Sequence, residues 1–280
     1  MNYVDLHVHS NASDGTLRPS EVVCLAKETG LTAIALTDHD TVEGVDEAVA
    51  AGREYEIEVI PGVELSCAYI SREIHIVGLF VDCHNQDFLD ELARLKDTRN
   101  ARNEQMAKKC REQGMRITME ELLAEYPGAV LTRAHFASLL TKKGYVSSVK
   151  DAFERYLNDH GPCFVPRYKM PCAQTIELIH SAGGLAILAH PILYKLGNSE
   201  LAKLVNYLTK CGIDGIEVLY STYTASDERR IDKLAKENAL LISGGSDFHG
   251  ANKPHVHLGL RRGNMKISYD VLENLKKAKV

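Results

Sequence analysis

What most constrains this chain is where its histidines and carboxylates fall relative to its apolar runs. Residues 3–9 alternate like a strand, end on His7 and His9, and run into a polar loop holding Asp14. The apolar run 31–36 is followed by Asp38, His39 and Asp40, and residues 58–63 by Glu64. His75 sits on an alternating segment, 73–81; His190 follows the run 185–189; Asp247 and His249 follow the last run, 240–243. A further run covers 215–219. Helix-period segments lie between them. One starts at Pro19 and is closed by Gly30; others span about 42–55, 172–182, 201–211 and 226–238. Strand–helix alternation implies parallel strands joined by crossovers. About seven strands predict an α/β barrel, for which 280 residues is a suitable single-domain length. All parallel strand ends would then meet on one rim, and the scattered acids and histidines would converge there.

The period changes in the middle. Residues 87–113 read as one long helix with Leu89, Leu92, Leu95, Met106 and Cys110 on its apolar stripe, followed by shorter helices over 119–126, 133–142 and 148–158. Residues 1–98 and 166–280 are therefore read as the barrel, and 99–165 as a helical insertion that caps its C-terminal rim.

On a strand, His7 and His9 face the same side, so both imidazoles can reach one ion. Mixed imidazole and carboxylate donors suit Mn²⁺, Zn²⁺ or Fe²⁺, and several carboxylates allow one to bridge two ions. The seven cysteines are dispersed without a C-x-x-C pair, which reads as reduced, mostly buried thiols and argues against a thiolate zinc site. His84, His160 and His180 stand alone and read as surface or core residues. Asp14 beside Gly15 can serve as a turn residue, and Asp38 and Asp40 can cap the following helix. The net charge of −5 gives no general attraction to nucleic acid or anionic membranes. No apolar run is long enough to span a bilayer, and the N-terminus has no signal-peptide layout, so a cytoplasmic protein is expected.

The segments DLHVHSNASDG, TDHDT, PGVELS, ILAHP and GSDFHG, in this order, resemble the motifs of the polymerase and histidinol phosphatase (PHP) family over residues 3 to about 260. The stretch LTRAHFASLLTKKGYVSSVKDAFERYLNDHGPCFVPRYK resembles the insertion of its 3′,5′-nucleotide bisphosphate phosphatase branch. The resemblance implies a distorted barrel of seven strands with two to three divalent metal ions, Mn²⁺ first, with Zn²⁺ or Fe²⁺ as alternatives. It implies one ion held by His7, His9, Glu64 and Asp247, a second by Glu64, His75 and His190, and a third by Asp14, His39 and His249. Asp38 and Asp40 would be structural, with Asp38 placed to orient an imidazole.

The expected activity is a metal-dependent phosphoesterase in which a metal-bridging hydroxide attacks phosphorus. Catalysis falls to Glu64, Arg133 and His135: Arg133 would grip phosphate through its planar fork, and His135 would protonate the leaving alkoxide. Arg99, Arg102, Arg167 and Lys169 are further candidates for a second phosphate or a base. The expected substrate is a small phosphorylated nucleotide of the 3′,5′-bisphosphate type. Alternatives are a cyclic phosphodiesterase acting on a phosphorylated sugar, 5′-end trimming of short RNA, and histidinol phosphate hydrolysis. Long nucleic acid and membrane partners are not expected. A non-enzymatic metal-binding protein is the alternative of a different class.

Overall fold

The structure, a computed structural model, describes residues 2–279. The barrel half begins with β1 (Tyr3–Val8), α1 (Pro19–Glu28), β2 (Ala33–Leu36), α2 (Val45–Tyr55), β3 (Glu58–Tyr69) and β4 (Arg72–Leu79). The helical segment is α3 (Gln86–Glu112), α4 (Met119–Glu125), α5 (Arg133–Lys142) and α6 (Val149–Ala152), the last running into a π-helical turn, Phe153–Leu157. The chain returns through β5 (Met170–Pro171), α7 (Cys172–Ser181), β6 (Leu185–Leu188), α8 (Asn198–Lys210), β7 (Gly215–Tyr220), α9 (Ala225–Glu237), β8 (Leu241–Gly245), β9 (Ile267–Ser268) and α10 (Tyr269–Ala278). Each barrel helix presents an apolar face. In α8 the buried residues are Leu201, Leu204, Val205 and Leu208, the spacing of one helical stripe.

The strands form one sheet in the order β8-β7-β6-β4-β3-β2-β1-β9, with β5 added to β3. It curls into a nearly closed barrel. Beyond β8 the chain reaches back to β1: the Asp247 N–H donates to His7 O at 2.9 Å and the His9 N–H to Phe248 O at 3.0 Å. Gly245 makes this seam possible, since a Cβ there would lie 2.4 Å from His7 Cβ.

Three features depart from the sequence expectation. First, β4 is antiparallel to both β3 and β6, so the sheet is mixed. Its N-terminal part, with His75, therefore lies at the rim where the parallel strands end. Second, β3 is twelve residues long and Glu64 lies within it, not at its end. Residues Glu58 to Pro61 pair with β2, and Gly62 to Tyr69 pair with β4. Glu64 is the third residue past the β2 ladder, where it bridges His39. Third, β9 and α10 are additions. Leu272 and Leu275 of α10 pack with Val4, Leu6, Ala33 and Leu79 to plug the barrel at the end opposite that rim.

Helix α3 is continuous across the expected boundary at residue 98. Phe88, Leu92 and Leu95 belong to the barrel core, whereas Met106, Ala107 and Cys110 belong to a second apolar cluster built from residues 106–165. At 27 residues the helix is about 40 Å long, enough to serve both. The second cluster sits on the rim side: the Val130 N–H donates to Ala12 O at 2.9 Å, and Thr132 Oγ1 to Asp14 Oδ2 at 3.0 Å. Among the described residues no helix is long and apolar enough to cross a membrane.

Candidate metal centre

A one-residue bulge in β1 aims the first two candidate ligands. Val4 pairs with Ala33 and Asp5 with Ile34, but Val8 pairs with Leu36, so one extra residue is inserted between Asp5 and Val8. Before the bulge Val4 joins the interior cluster; after it Val8 joins the outer one. His7 and His9 thereby turn into the barrel mouth, both fully buried, with their Nε2 atoms 3.1 Å apart.

All nine residues expected as ligands meet there. His7, His9, Glu64 and Asp247 bring one donor atom each to a common point, as do His9, Asp14, His39 and His249, and His39, Glu64 and His75. Glu64 is central. Its Oε1 lies 2.8 Å from His75 Nδ1 and 2.9 Å from His190 Nε2, while its Oε2 lies 3.0 Å from His39 Nδ1 and 3.2 Å from His9 Nε2. Two of these nine residues, His190 and Asp247, hold left-handed backbone conformations with φ of 30° and 56°. Such strain is kept where the surroundings over-determine it, as at binding sites.

The donors fit divalent ions. Asp14 Oδ1, His39 Nδ1 and His190 Nδ1 are buried without a hydrogen-bond partner among the described residues; Asp14 Oδ1 lies 3.2 Å from His249 Nε2 and His39 Nδ1 3.0 Å from Glu64 Oε2. Burial opposes charge on His7, yet Glu217, Glu64 and Asp247 outweigh it and hold its imidazolium form well above the ordinary range. Burial is likewise outweighed at His9, which Asp247 and Glu64 raise to about 9, and at His75, which Glu64 and Glu73 raise to about 10. At His39 burial wins and its pKa falls to about 3. Carboxylates that pull protons onto imidazoles this strongly form a site that divalent cations neutralise in place of those protons.

The supporting shell contains residues that the sequence did not single out. Glu217 is 1% exposed; its Oε1 accepts from His7 Nδ1 at 2.8 Å and its Oε2 from the His190 N–H at 2.6 Å. It is an acid inside an apolar strand, and that was its available signal. Tyr220 Oη and Lys253 Nζ both donate to Asp247 Oδ2, at 2.5 and 2.6 Å, which leaves Oδ1 directed at the imidazoles. Asp38 and Asp40 do not cap α2, whose N-cap is Gly44. Asp38 accepts from the Ser10 N–H and from the hydroxyls of Ser10 and Ser13, and Ser13 Oγ lies 3.5 Å from His9 Nδ1. Asp40 accepts from Arg99 and from the Ser66 N–H.

Above the ligands lies a cavity of about 780 Å³, and Asp14, His39 and His75 line it together with Arg99, Arg102, Arg133, Arg167 and Lys169. Arg99 is anchored on Asp40, and Lys169 on Glu73 at 2.9 Å. Arg102 Nη2 and both Nη atoms of Arg167 are buried with no hydrogen-bond partner among the described residues. Burial, reinforced by Arg99, Arg167 and Arg133, pushes Arg102 down to about 9. Arg133 donates to Asp159 Oδ1 at 2.6 Å and packs over the Phe153 and Phe164 rings. His135 is differently placed: it is 2% exposed, accepts from the Thr132 N–H at 2.9 Å, and packs on the Tyr126 ring. It is absent from the residues lining the cavity. Of the lone histidines, His160 lines the cavity mouth, His84 is exposed beside Asp46, and His180 pairs with Asp214.

Comparison with known proteins agrees with this geometry. Residues 5–164 match the PHP domain family. The chain is 40% identical over 245 residues to a 5′-3′ exoribonuclease of Haemophilus influenzae, covering 88% of this chain and 89% of that one. It is 32% identical to a 3′,5′-nucleoside bisphosphate phosphatase of Chromobacterium violaceum, covering 89% and 88%. A solved structure from Chromobacterium violaceum, described as an amidohydrolase with bound sulfate and no metal, superimposes with a TM-score of 0.88 at 30% identity, covering 97% and 96%. With its ligand cluster and these relatives, the chain belongs to the PHP domain family and is a metal-dependent hydrolase of phosphoric esters.

Proposed function

We propose that the chain removes the phosphoryl group on the 3′-oxygen of a nucleotide whose 5′-phosphate is held by the cavity arginines. The observation that carries this is a set of buried guanidinium donors without a hydrogen bond among the described residues, Arg102 Nη2 and both Nη atoms of Arg167, in the same cavity as the candidate ligand cluster; Arg167 Nη2 has only the longer ion pairs to Asp40 at 3.6 Å and Glu73 at 3.7 Å. Buried N–H donors of like charge crowded together are costly unless an anion satisfies them, and arginine suits the bidentate oxygens of phosphate. A 3′,5′-nucleoside bisphosphate supplies one phosphate to the arginines and one to the ligand cluster. A 5′-phosphorylated RNA supplies the same pair, because its first internucleotide phosphate is also esterified to the 3′-oxygen. One site would thus serve both activities named for the relatives, with the nucleotide monoester as the simplest substrate and short RNA as a second.

His7, His9, Glu64 and Asp247 would hold one ion, Glu64, His75 and His190 a second, and Asp14, His39 and His249 a third, with Mn²⁺ the best match to this oxygen and imidazole set. When bound, such ions supply Lewis acidity, neutralising phosphoryl oxygens and acidifying water. The protein's own groups do the remaining work. Arg102, Arg167 and Arg133 fix the non-reacting phosphate, Asp40 and Glu73 hold Arg99 and Lys169 in the cavity wall, and Glu217, Tyr220 and Lys253 hold the ligands in register. His135 is better placed to fix the Thr132 turn, and through it Asp14, than to reach a leaving group. Residues 99–165 would act as the cap that carries the phosphate grip.

The test is product analysis with manganese-loaded protein. A 3′,5′-bisphosphate should yield the nucleoside 5′-monophosphate and inorganic phosphate. A 3′-monophosphate lacking the 5′ group should react with kcat/KM lower by roughly ten- to a hundredfold, the loss of one charge-assisted contact of about 1.5–3 kcal/mol. Arg102→Ala should erase that preference. Equal turnover of the two substrates, or release of the 5′-phosphate, would contradict the proposal.

A further inference from the structure

We propose that a groove beside the β3–β4 turn receives the part of a short RNA that lies 3′ of the cleaved phosphate. This rests on the reading of the active site given above. The groove has a volume of about 390 Å³ and is lined by Tyr69, Ile70, Arg72, Leu196 and Lys203, among others. It joins the active-site cavity, since Ser71 and Arg72 line both.

Its walls have the character of a single-strand track. Ile70 is 86% exposed, in a left-handed turn position with φ of 55°, where a β-branched side chain is unfavourable. The ring of Tyr69 lies 5.3 Å from that of Tyr207, which is itself 38% exposed. Arg72 and Lys203 have no ion-pair partner among the described residues, and against these two cations the groove holds one acid, Glu200, whose Oε2 accepts from the Gly197 N–H at 3.2 Å. Apolar and aromatic surface between free cations is what stacked bases and a phosphate backbone require.

Position supplies the direction. Arg72 precedes His75 by three residues on β4, a separation of about 10 Å. On the other side, His190 leads through Pro191–Tyr194 to Leu196. His75 and His190 are the two residues on Glu64 Oε1. The cap is tied through Thr132 to Asp14, which neighbours the histidines on the Oε2 side. A nucleotide whose 5′-phosphate is gripped on the cap side by Arg102 and Arg133, with its 3′-phosphoryl group over the candidate ligands, has its onward strand at the mouth of the groove.

The test compares wild type with an Ile70→Ser, Lys203→Ser double variant, neither residue lining the active-site cavity. Substrates are a 3′,5′-bisphosphate, which has no onward strand, and 5′-phosphorylated RNAs of two, three and five nucleotides. Turnover of the bisphosphate should be unchanged. KM for the five-nucleotide RNA should rise about tenfold, and the salt dependence of its binding should flatten by about 0.7 in log–log slope for the lost lysine. Unchanged oligonucleotide kinetics in a variant with intact bisphosphate turnover overturns the groove. If no 3′-phosphoryl substrate reacts with either protein, the active-site reading falls, and the groove is decided by anisotropy. A fluorescent 5′-phosphorylated pentanucleotide should bind the metal-free variant more weakly than wild type, and equal affinity overturns the proposal. A change in oligomeric state without an oligonucleotide effect identifies the patch as a self-association surface, which also overturns it.

Discussion

Glu217→Gln should damage metal binding without touching a ligand. The carboxylate accepts two hydrogen bonds, from His7 Nδ1 at 2.8 Å and from the His190 N–H at 2.6 Å. An amide has only one accepting end. The backbone N–H of His190 cannot change its role, so the amide oxygen must remain there, and the NH₂ group then faces His7. His7 can answer only by unprotonating Nδ1 and carrying its proton on Nε2. That is the atom 3.1 Å from His9 Nε2 and 3.4 Å from Glu64 Oε2, the donor it offers to an ion. The alternative amide rotamer sets NH₂ against the His190 N–H, leaving a buried donor unpaired. Either way one charge-assisted bond of about 1.5–3 kcal/mol is lost. Metal affinity should therefore fall by about ten- to a hundredfold, as is usual when the partner of a ligating histidine is removed. A Mn²⁺ titration against a competing chelator measures this, and kcat at saturating metal should recover most of its value. Wild-type affinity in a folded Glu217→Gln protein would show that the tautomer argument is wrong.

Other substitutions separate the remaining roles. Glu64→Ala should lower bound metal by more than one ion per chain and abolish turnover, whereas full metal content by elemental analysis would remove its bridging role. His135→Ala should lower Tm, through loss of the bond from the Thr132 N–H, and reduce kcat by the same factor for alkyl and nitrophenyl esters; a defect confined to poor leaving groups would instead make it the proton donor. Gly245→Ala should force the seam apart, because its Cβ would meet His7 Cβ at 2.4 Å. Both Tm and metal content should drop, and a variant with unchanged metal affinity would show that the seam does not position His7.

The candidate ligands stood out in the sequence because metal donors must be particular residue types, and their place at or near strand ends repeats along the chain. His7, His9, Asp14, His39, Glu64, His75, His190, Asp247 and His249 needed no coordinates to be singled out, and the mouth of the barrel gathers all nine. What tertiary structure decided is everything that depends on which strand lies beside which. The bulge that turns His7 and His9 inward exists only against β2, and the antiparallel course of β4, which brings His75 to the rim, is set by β3 and β6. Asp40 reads locally as a helix cap until Arg99, 59 residues away, claims it. Glu217 and Lys253 look like an ordinary strand acid and loop cation, and only long-range packing places them against His7 and Asp247. Residue identity and local period are written along the chain, but a buried charge acquires its meaning from a partner, and the fold chooses the partner.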